Sequence, residues 1–470
     1  MRTIRTSEFI AKAEGDSAQP IVAKNDLARA WQALTNKQDG HSSLWAYYDG
    51  VQPLAYTHNR LKDIFRDLDT NFSENWCKVV VDSLKDRVNL TGLDHENEQV
   101  DSTLAAWWDA AELNLTSDDV HENALVTGEG YLMVWQEAEG SAPQAHWNDS
   151  RLCHIHYSAE NPRIPQWAAK WWVGDDKLRY LTLYYRDRLE YYVSRKPAKD
   201  VQDWKGLEEM GVAPNPYAEI PVFHFRPSRR AIIGELLSVT PLQDAVNKLL
   251  ADMMVAAEFG AFQQRYVISA MSGSQIKLKN APGEIWNLAG GGDGDQPTSV
   301  GQFDATPLRN YLDAVDNLAR AIGTISRTPS HYFLGEAGAN LSGEALIALE
   351  SPLNKKAQDR IDAFIPTWQR AASFALRIAG LSVSPSEITP VYDKPETIQP
   401  RTAAEIVQMQ VGAGMPLLSA LRLGGMTEAE LAQIMEEQQA EEASRTRSLG
   451  QALMDAQAQF DVGGAASDLA

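Results

Sequence analysis

Between Ser342 and Gly380 the residues Leu346, Leu349, Leu353, Ile361, Phe364, Ile365, Trp368 and Phe374 recur at close to a helical period. The spacing predicts one helix of about 55 Å. Ser342 suits its N-cap, and Glu344 sits where the positive end of the helix dipole favours an acid. Pro352 and Pro366 fall inside the pattern. Each removes a backbone donor and predicts a kink, so the helix should be a beam following an angled path. Just upstream, Gly335, Ala337 and Gly338 predict a flexible loop leading into that beam.

The chain ahead of this loop changes texture three times. Residues 25–48 read as helix with a polar break at "TNKQDGHSS". Two amphipathic helices follow over 59–90, the second with Trp76, Val79, Val80, Leu84 and Val88 on a stripe expected to be core. The stretch from Asp101 to Ala138 reads as two helices and then a strand entered through Gly128 and Gly130. From 131 to 226, aromatic and β-branched blocks between turn residues predict an antiparallel β region. Most of the 13 Trp precede residue 210, which places the heavier core in that half.

From 234 the pattern is helical again, with Leu236, Val239, Leu242, Val246, Leu249, Leu250 and Met253 on one stripe. The acids Glu235, Asp244, Asp252 and Glu258 stand there against Lys248. Strand-like pieces around a Gly/Asp turn, Gly290 to Asp295, separate this helix from a second one, for which Pro307 suits the first turn. The order is therefore helix, β insert, helix, loop, beam, and the fold class is α+β. A last helical block over 401–448 is acidic from Glu428 to Glu442, and the tail 449–470 is expected to be disordered. No internal repeat is visible.

Composition narrows the functions. The chain has 470 residues and a net charge of -20, which argues against a simple nucleic-acid binder with its basic footprint. The two cysteines, Cys77 and Cys153, cannot build a four-cysteine zinc site or a disulfide framework. No apolar run long enough for a signal peptide or a membrane span is present, so a protein made in a cytoplasm and acting without a membrane is expected.

Catalytic signals fail one by one. The dipeptide Gly-Lys does not occur, which removes a P-loop, and there is no G-x-S-x-G elbow. His95 and His121 open segments like a zincin helix, but neither has a second His four residues on. His154 and His156 share one face of a strand and lack a third ligand. No metal, cofactor or catalytic residue is expected, and an enzyme is the weaker hypothesis.

Four stretches in order carry a resemblance: "NWCKVVVDSLKDRVNLTGL", "WWDAAELNLTSDDVHENALVTGEGYLMVW", "IPVFHFRPSRRAIIGELLSVTPLQDAVNKLLADMMVAAEFGAFQQRYVIS", and the loop–helix junction containing "SGEAL". Over about residues 40–400 the chain resembles portal proteins of tailed bacteriophages, of the kind found in long-tailed phages of Gram-positive hosts. The resemblance implies a portal fold assembled as a ring, usually of twelve copies, at one capsid vertex. It implies a virion protein assembled in the host cytoplasm. Its partners would be double-stranded DNA in the channel, the terminase large subunit, a head–tail adaptor, the major capsid protein and scaffold.

Carried onto this chain, the resemblance makes 1–234 a mixed α/β wing, 235–262 the first stem helix and 263–306 a small β-containing clip. It makes 307–326 the second stem helix, 327–342 the tunnel loop, 343–400 the long kinked helix with its return to the wing, and 401–448 a helical crown. Arg327, His331, Tyr332, Phe333, Glu336 and Asn340 would be the tunnel-loop residues facing DNA. Glu235, Asp244, Asp252, Arg309 and Arg320 would line the stem or meet a neighbouring subunit. For Arg309, Arg320, Arg327 and His331, transient phosphate contacts and subunit–subunit ion pairs both remain open. A bore lined mainly by carboxylates would repel phosphates, whereas a basic one would hold the duplex. Two rivals stand beside this reading: another structural head protein without a channel, and a metal-dependent hydrolase.

Overall fold

The computed structural model describes residues 20–53, 74–136, 140–228, 230–261, 265–268, 299–334, 343–395 and 407–423, together with Met426, Leu431, Ile434 and Met435. The chain divides into two compact units, Met1–Pro395 and Glu396–Ala470.

The first unit opens with α1 (Pro20–Asp49) and α2 (Trp76–Lys85). The Asn75 side chain caps α2 by accepting from the Lys78 amide, and Asn97 caps α3 (Glu98–Ala110) by accepting from the Gln99 and Val100 amides. Strand β1 (Leu90–Asp94) lies between these two helices, and α4 (Leu113–Thr127) follows. Helix α4 stops at Gly128, which adopts φ 91°, a conformation open to glycine at little cost. A Cβ on Gly128 would stand 2.5 Å from the Ile233 amide nitrogen, and one on Gly234 would stand 2.1 Å from the Val126 carbonyl oxygen. Two glycines thus let the chain at 233–235 cross directly over the end of α4, where the Glu235 amide donates to the Leu125 carbonyl at 2.7 Å.

The β region is antiparallel throughout. Strand β2 (Gly130–Gln136) lies between β3 (Pro143–Asn148) and β9 (Val222–Phe225). A five-stranded meander runs β4 (Cys153–Tyr157), β5 (Pro165–Val173), β6 (Leu178–Tyr184), β7 (Arg188–Pro197) and β8 (Leu207–Pro214). Strand β2 is apolar without alternation because both faces are covered. Leu132 and Val134 enter the main core, while Tyr131 and Met133 enter a smaller one shared with Cys153 and Ile155 of β4. On β5, Trp167, Ala169 and Trp171 point into a third cluster with Leu27, Trp31 and Leu34 of α1.

Helix α5 (Thr240–Ala261), the ribbon of β10 (Arg265–Ile268) with β11 (Ser299–Gln302), and α6 (Arg309–Ser326) come next. The helix–β–helix order matches the sequence pattern with two boundary shifts. Helix α5 begins at Thr240 instead of 235, because Leu236 and Val239 are buried in turns ahead of it. Pro307 stands before α6, whose N-cap is Leu308.

Helix α7 (Gly343–Ile378) is one helix of 36 residues with Pro352 and Pro366 inside it. Its face from Leu353 to Leu376 lies in the main core, where Phe364 and Trp368 meet His121 of α4 and Phe225 of β9, and Phe374 meets Phe223 of β9. Residues before 210 supply the larger share of this core and nearly all of the two smaller clusters, as expected, and α7 supplies about half of what remains of the main core. Ahead of Leu353 the helix shows apolar groups to the outside, with Ile347 and Leu349 exposed. The chain then returns through β12 (Thr389–Tyr392), which pairs antiparallel with β1.

Helix α1 corrects the expected polar break. It runs uninterrupted through "TNKQDGHSS" because that stretch meets buried polar partners. Lys37 donates to the Glu129 carboxylate at 2.7 Å and also to the Cys153 carbonyl, Gln38 donates to the Arg151 carbonyl, and His41 Nδ1 lies 2.9 Å from Ser150 Oγ. Burial alone would raise the Glu129 carboxyl; Lys37 and His224 outweigh it and hold the group below the usual carboxylate range. The two ends of α1 are apolar and serve different cores: Leu27, Trp31 and Leu34 one, Leu44, Trp45 and Tyr48 the other.

In the second unit, a helical stretch at 407–412 turns at Gly414 (φ 91°) and leads to a short helix, Leu417–Leu423. The expected helix over 59–72, Ser342, the Gly/Asp turn at 290–295, most of the acidic run and the tail lie outside the described residues.

Candidate functional site

Helices α5 and α6 pack side by side, with the β10–β11 ribbon joining their far ends. Helix α6 is strongly amphipathic: Val315, Ala319 and Ile322 are buried, while Leu312, Asp313, Asn317 and Arg320 face outward. Helix α5 differs. Over Ala251–Ala257 it reads Ala-Asp-Met-Met-Val-Ala-Ala, and every one of these residues is half-buried. A helix that is apolar all round needs cover on more than one side. The ribbon is apolar too: Tyr266 packs on Phe303 at 5.1 Å, and Tyr266, Ile268, Val300 and Phe303 are all exposed.

The expected stem residues have local partners. Asp244 accepts from the Tyr47 hydroxyl through both carboxylate oxygens, at 2.8 and 2.9 Å. Asp252 pairs with Lys248, one turn away, at 2.7 Å. Arg320 donates to Asn317 at 3.3 Å, and Arg309 is exposed in the first turn of α6. The two helices together carry Asp244, Asp252, Glu258, Asp313 and Asp316 against Lys248, Arg309 and Arg320. That is a small acidic excess, so the charge of -20 is not concentrated on this helix pair.

Glu235 is the clearest correction. It does not sit on α5 and does not face outward. Its carboxylate is 7% exposed and lies 2.6 Å from Lys356 and 2.7 Å from Arg360, both on α7. Burial alone would raise this carboxyl; Lys356 and then Arg360 outweigh it and hold it below the usual carboxylate range. Burial in turn pulls the Lys356 ammonium below the ordinary lysine value, against the pull of Glu235. Lys356 also donates to the Ser326 carbonyl at the end of α6, at 2.8 Å, and Arg360 donates to the Pro227 carbonyl at 3.1 Å. One buried ammonium therefore touches both the lead-in to α5 and the exit from α6.

The loop residues divide. Arg327 ends α6 in the left-handed region (φ 61°), with its side chain exposed. His331, Tyr332 and Phe333 follow in and just after a 3-10 turn, Ser330–Tyr332, and lie against the chain's own body. The Tyr332 hydroxyl accepts from Arg87 at 2.9 Å. His331 Nε2 is 3.7 Å from Glu350, and Phe333 packs edge-on against Trp76 at 5.9 Å. Glu336 and Asn340 lie outside the described residues.

Sequence reading missed Arg87, Glu350, Asn354, Lys356 and Arg360. The available signal was the i, i+4 spacing of polar groups, 350 with 354 and 356 with 360, on a helix otherwise marked by its apolar period.

Of the histidines singled out by motif, His95 accepts from the Asn97 amide at 2.9 Å ahead of α3, and the other three serve packing. His121 is fully buried, stacked on Phe364 at 4.8 Å. His154 and His156 both lie against Trp167, and burial pushes His154 down to about 4. Among the described residues no group of three or more His, Cys, Asp or Glu side chains is gathered as a metal ion would require, and no helix is long and apolar enough to cross a membrane.

This arrangement, an α+β body carrying a helix–ribbon–helix arm beside a long core helix, fits a structural component built for assembly. The family model described as phage portal protein, SPP1 Gp6-like, matches residues 42–444, and the chain belongs to that family. The portal protein of Mycobacterium phage D29 is 24% identical over 385 residues, covering 77% of this chain and 75% of that protein. The portal protein of Mycobacterium phage L5 is 24% identical over 326 residues, covering 64% of each. Among solved structures, a chain from the neck of a native gene transfer agent particle, computed with C12 symmetry, matches with a TM-score of 0.46 at 11% identity, over 79% of this chain and 95% of that one. A chain from the virion of the same kind of particle gives 0.44 at 12% identity, again over 79% and 95%.

Proposed function

We propose that copies of this chain close into a ring around a channel through which double-stranded DNA enters and leaves a phage head. The ring would sit at one capsid vertex of the virion, and its role would be structural, not enzymatic. The observation that carries the reading is α5. Seven successive residues, apolar but for Asp252, are half-buried with α6 alongside, and neighbouring copies supply the missing cover. The exposed ribbon at the far end of the arm is the docking place we assign to the terminase and later to the head–tail adaptor. We assign wing, stem, clip and crown to the segments the resemblance implies, with the first stem helix starting at Thr240, where α5 begins. Asp244 and Asp252 are partnered and the two helices carry only a small acidic excess, so low friction on DNA would come from a weakly acidic helix pair. Electron microscopy of the purified protein tests this. Rings with a central opening are expected, and a compact monomer or dimer at assembly concentrations would overturn the proposal.

A further inference from the structure

We infer that Arg87 is a positioning residue that locks the segment 329–334, at the exit of α6, onto α7. Arg87 stands just past the end of α2, and its donors are divided among three parts of the chain. Nη1 donates to the Ser83 carbonyl at 2.8 Å, which ties the side chain to its own helix end. Nε donates to Asn354 Oδ1 at 2.9 Å, and Nη2 donates to Glu350 Oε2 at 3.2 Å, both on α7. Nη2 also donates to the Tyr332 hydroxyl at 2.9 Å, with the guanidinium carbon 5.9 Å from the centre of that ring. The second Glu350 oxygen faces His331 at 3.7 Å, so one carboxylate is shared between the arginine and the segment it holds.

The segment has few other hydrogen bonds to the body. The amides of Tyr332, Phe333 and Leu334 donate within their own turn, to the Pro329 and Ser330 carbonyls. The polar ties of the turn to the body are the Arg87–Tyr332 bond and the His331–Glu350 contact, beside the apolar packing of Phe333 on Trp76 and of Leu334 on the main core. The planar five-donor fork of arginine is what lets one side chain hold Ser83, Asn354, Glu350 and Tyr332 together; a lysine ammonium has three donors and no such fork. Arg87 and Glu350 side chains are 11% and 17% exposed, so water competes weakly for these bonds.

The consequence rests on the proposed function. In that reading the segment leads toward the channel, and Arg87 makes it move with α7 instead of independently. The experiment has two readouts on the full-length protein. Hydrogen exchange of peptides spanning 327–334 is compared between wild type and Arg87→Met. Exchange at Tyr332–Leu334 is expected to rise at least tenfold, while Trp76–Lys85 and the buried half of α7 stay unchanged. Tyr332→Phe, which deletes one oxygen and preserves the ring, is expected to give a smaller rise at the same amides, and Arg87→Lys an intermediate one. Unchanged exchange at 332–334 in both Arg87→Met and Tyr332→Phe overturns the lock, as does an equal rise throughout α2 and α7. Should Arg87→Met not fold, Tyr332→Phe decides alone. Packaged DNA in particles carrying Tyr332→Phe or Arg87→Met is the second readout. A loss with rings still formed supports the role in DNA passage; raised exchange with normal packaging overturns that role. Absence of rings in wild type would sink the proposed function without touching the exchange result.

Discussion

The indole Nε1 of Trp368 donates to Nε2 of His121 at 3.0 Å in the middle of the main core. On the other side of the ring, His121 Nδ1 donates to the Val88 carbonyl at 3.2 Å. Accepting from an indole at Nε2 fixes the neutral tautomer with its proton on Nδ1. The residue joins three elements: α4 carries it, α7 supplies Trp368, and Val88 lies in the turn after α2.

This geometry makes the fold sensitive to acid. Burial pushes His121 down to about 3, against a smaller upward pull from the Val88 carbonyl. The folded value is below the unfolded one, so the stabilisation is complete above about 6.5 and is lost as pH falls toward 3. Between pH 7.5 and 5 the loss from this one group is about 2 kcal/mol. His121→Leu should cost about 1–3 kcal/mol at pH 7.5, by stranding the Trp368 and Val88 groups. It should also make the drop between pH 7.5 and 5 smaller by about 2 kcal/mol. Urea unfolding of both proteins at the two pH values measures this; parallel pH dependences would show that His121 does not titrate as described.

The Lys356–Glu235 pair gives a second prediction. Lys356→Met leaves Glu235 buried with Arg360 as its remaining cation and should destabilise by about 3–5 kcal/mol. Adding Glu235→Leu to the same chain should recover most of that loss, because the pair's desolvation cost disappears with the pair. A double-mutant cycle in thermal or urea unfolding tests it. Additive losses would mean that the two side chains are not energetically coupled.

The crossing at Gly128 and Gly234 predicts intolerance of a single methyl group. Gly234→Ala would drive Cβ into the Val126 carbonyl, and Gly128→Ala would meet Ile233 backbone while holding a positive φ. Each should lose at least about 2 kcal/mol. By contrast, Gly140→Ala also sits at positive φ but meets nothing within 4 Å, so it should lose only the conformational cost, about 1 kcal/mol. Melting temperatures of the three variants would separate packing from backbone strain.

Assembly should fail before folding does when charge is placed on the outer face of α6. Leu312 is 49% exposed, so Leu312→Glu should change the stability of the isolated chain by no more than about 0.5 kcal/mol. If α5 and α6 are covered by neighbouring copies, the same change should abolish or sharply reduce rings, read by light scattering after size-exclusion chromatography. Wild-type ring yield in Leu312→Glu would place the subunit contact elsewhere.

Much of the architecture follows from local signals. The strand entered through Gly128 and Gly130, the antiparallel runs over 131–226, the helix–ribbon–helix order and the long apolar period of α7 are each written in spacing and residue type. These features depend on neighbours a few residues away, and so one chain suffices to read them. The contacts that define the site do not. Glu235 reads as an exposed acid on a stem helix and is in fact held by Lys356 and Arg360, more than a hundred residues on. Tyr332 reads as a group facing DNA and accepts from Arg87, 245 positions earlier. The polar stretch around Lys37 reads as a break and continues as helix because Glu129 and the carbonyls of Arg151 and Cys153 receive its donors.

The sequence by itself determined most of the elements and their order, because period and turn residues act over one or two helical turns, and four stretches in order carried the resemblance to a family. Only the tertiary structure decided which charges are buried and which face outward. A charged side chain tolerates burial when an opposite partner meets it across the fold, and that meeting depends on how distant segments pack.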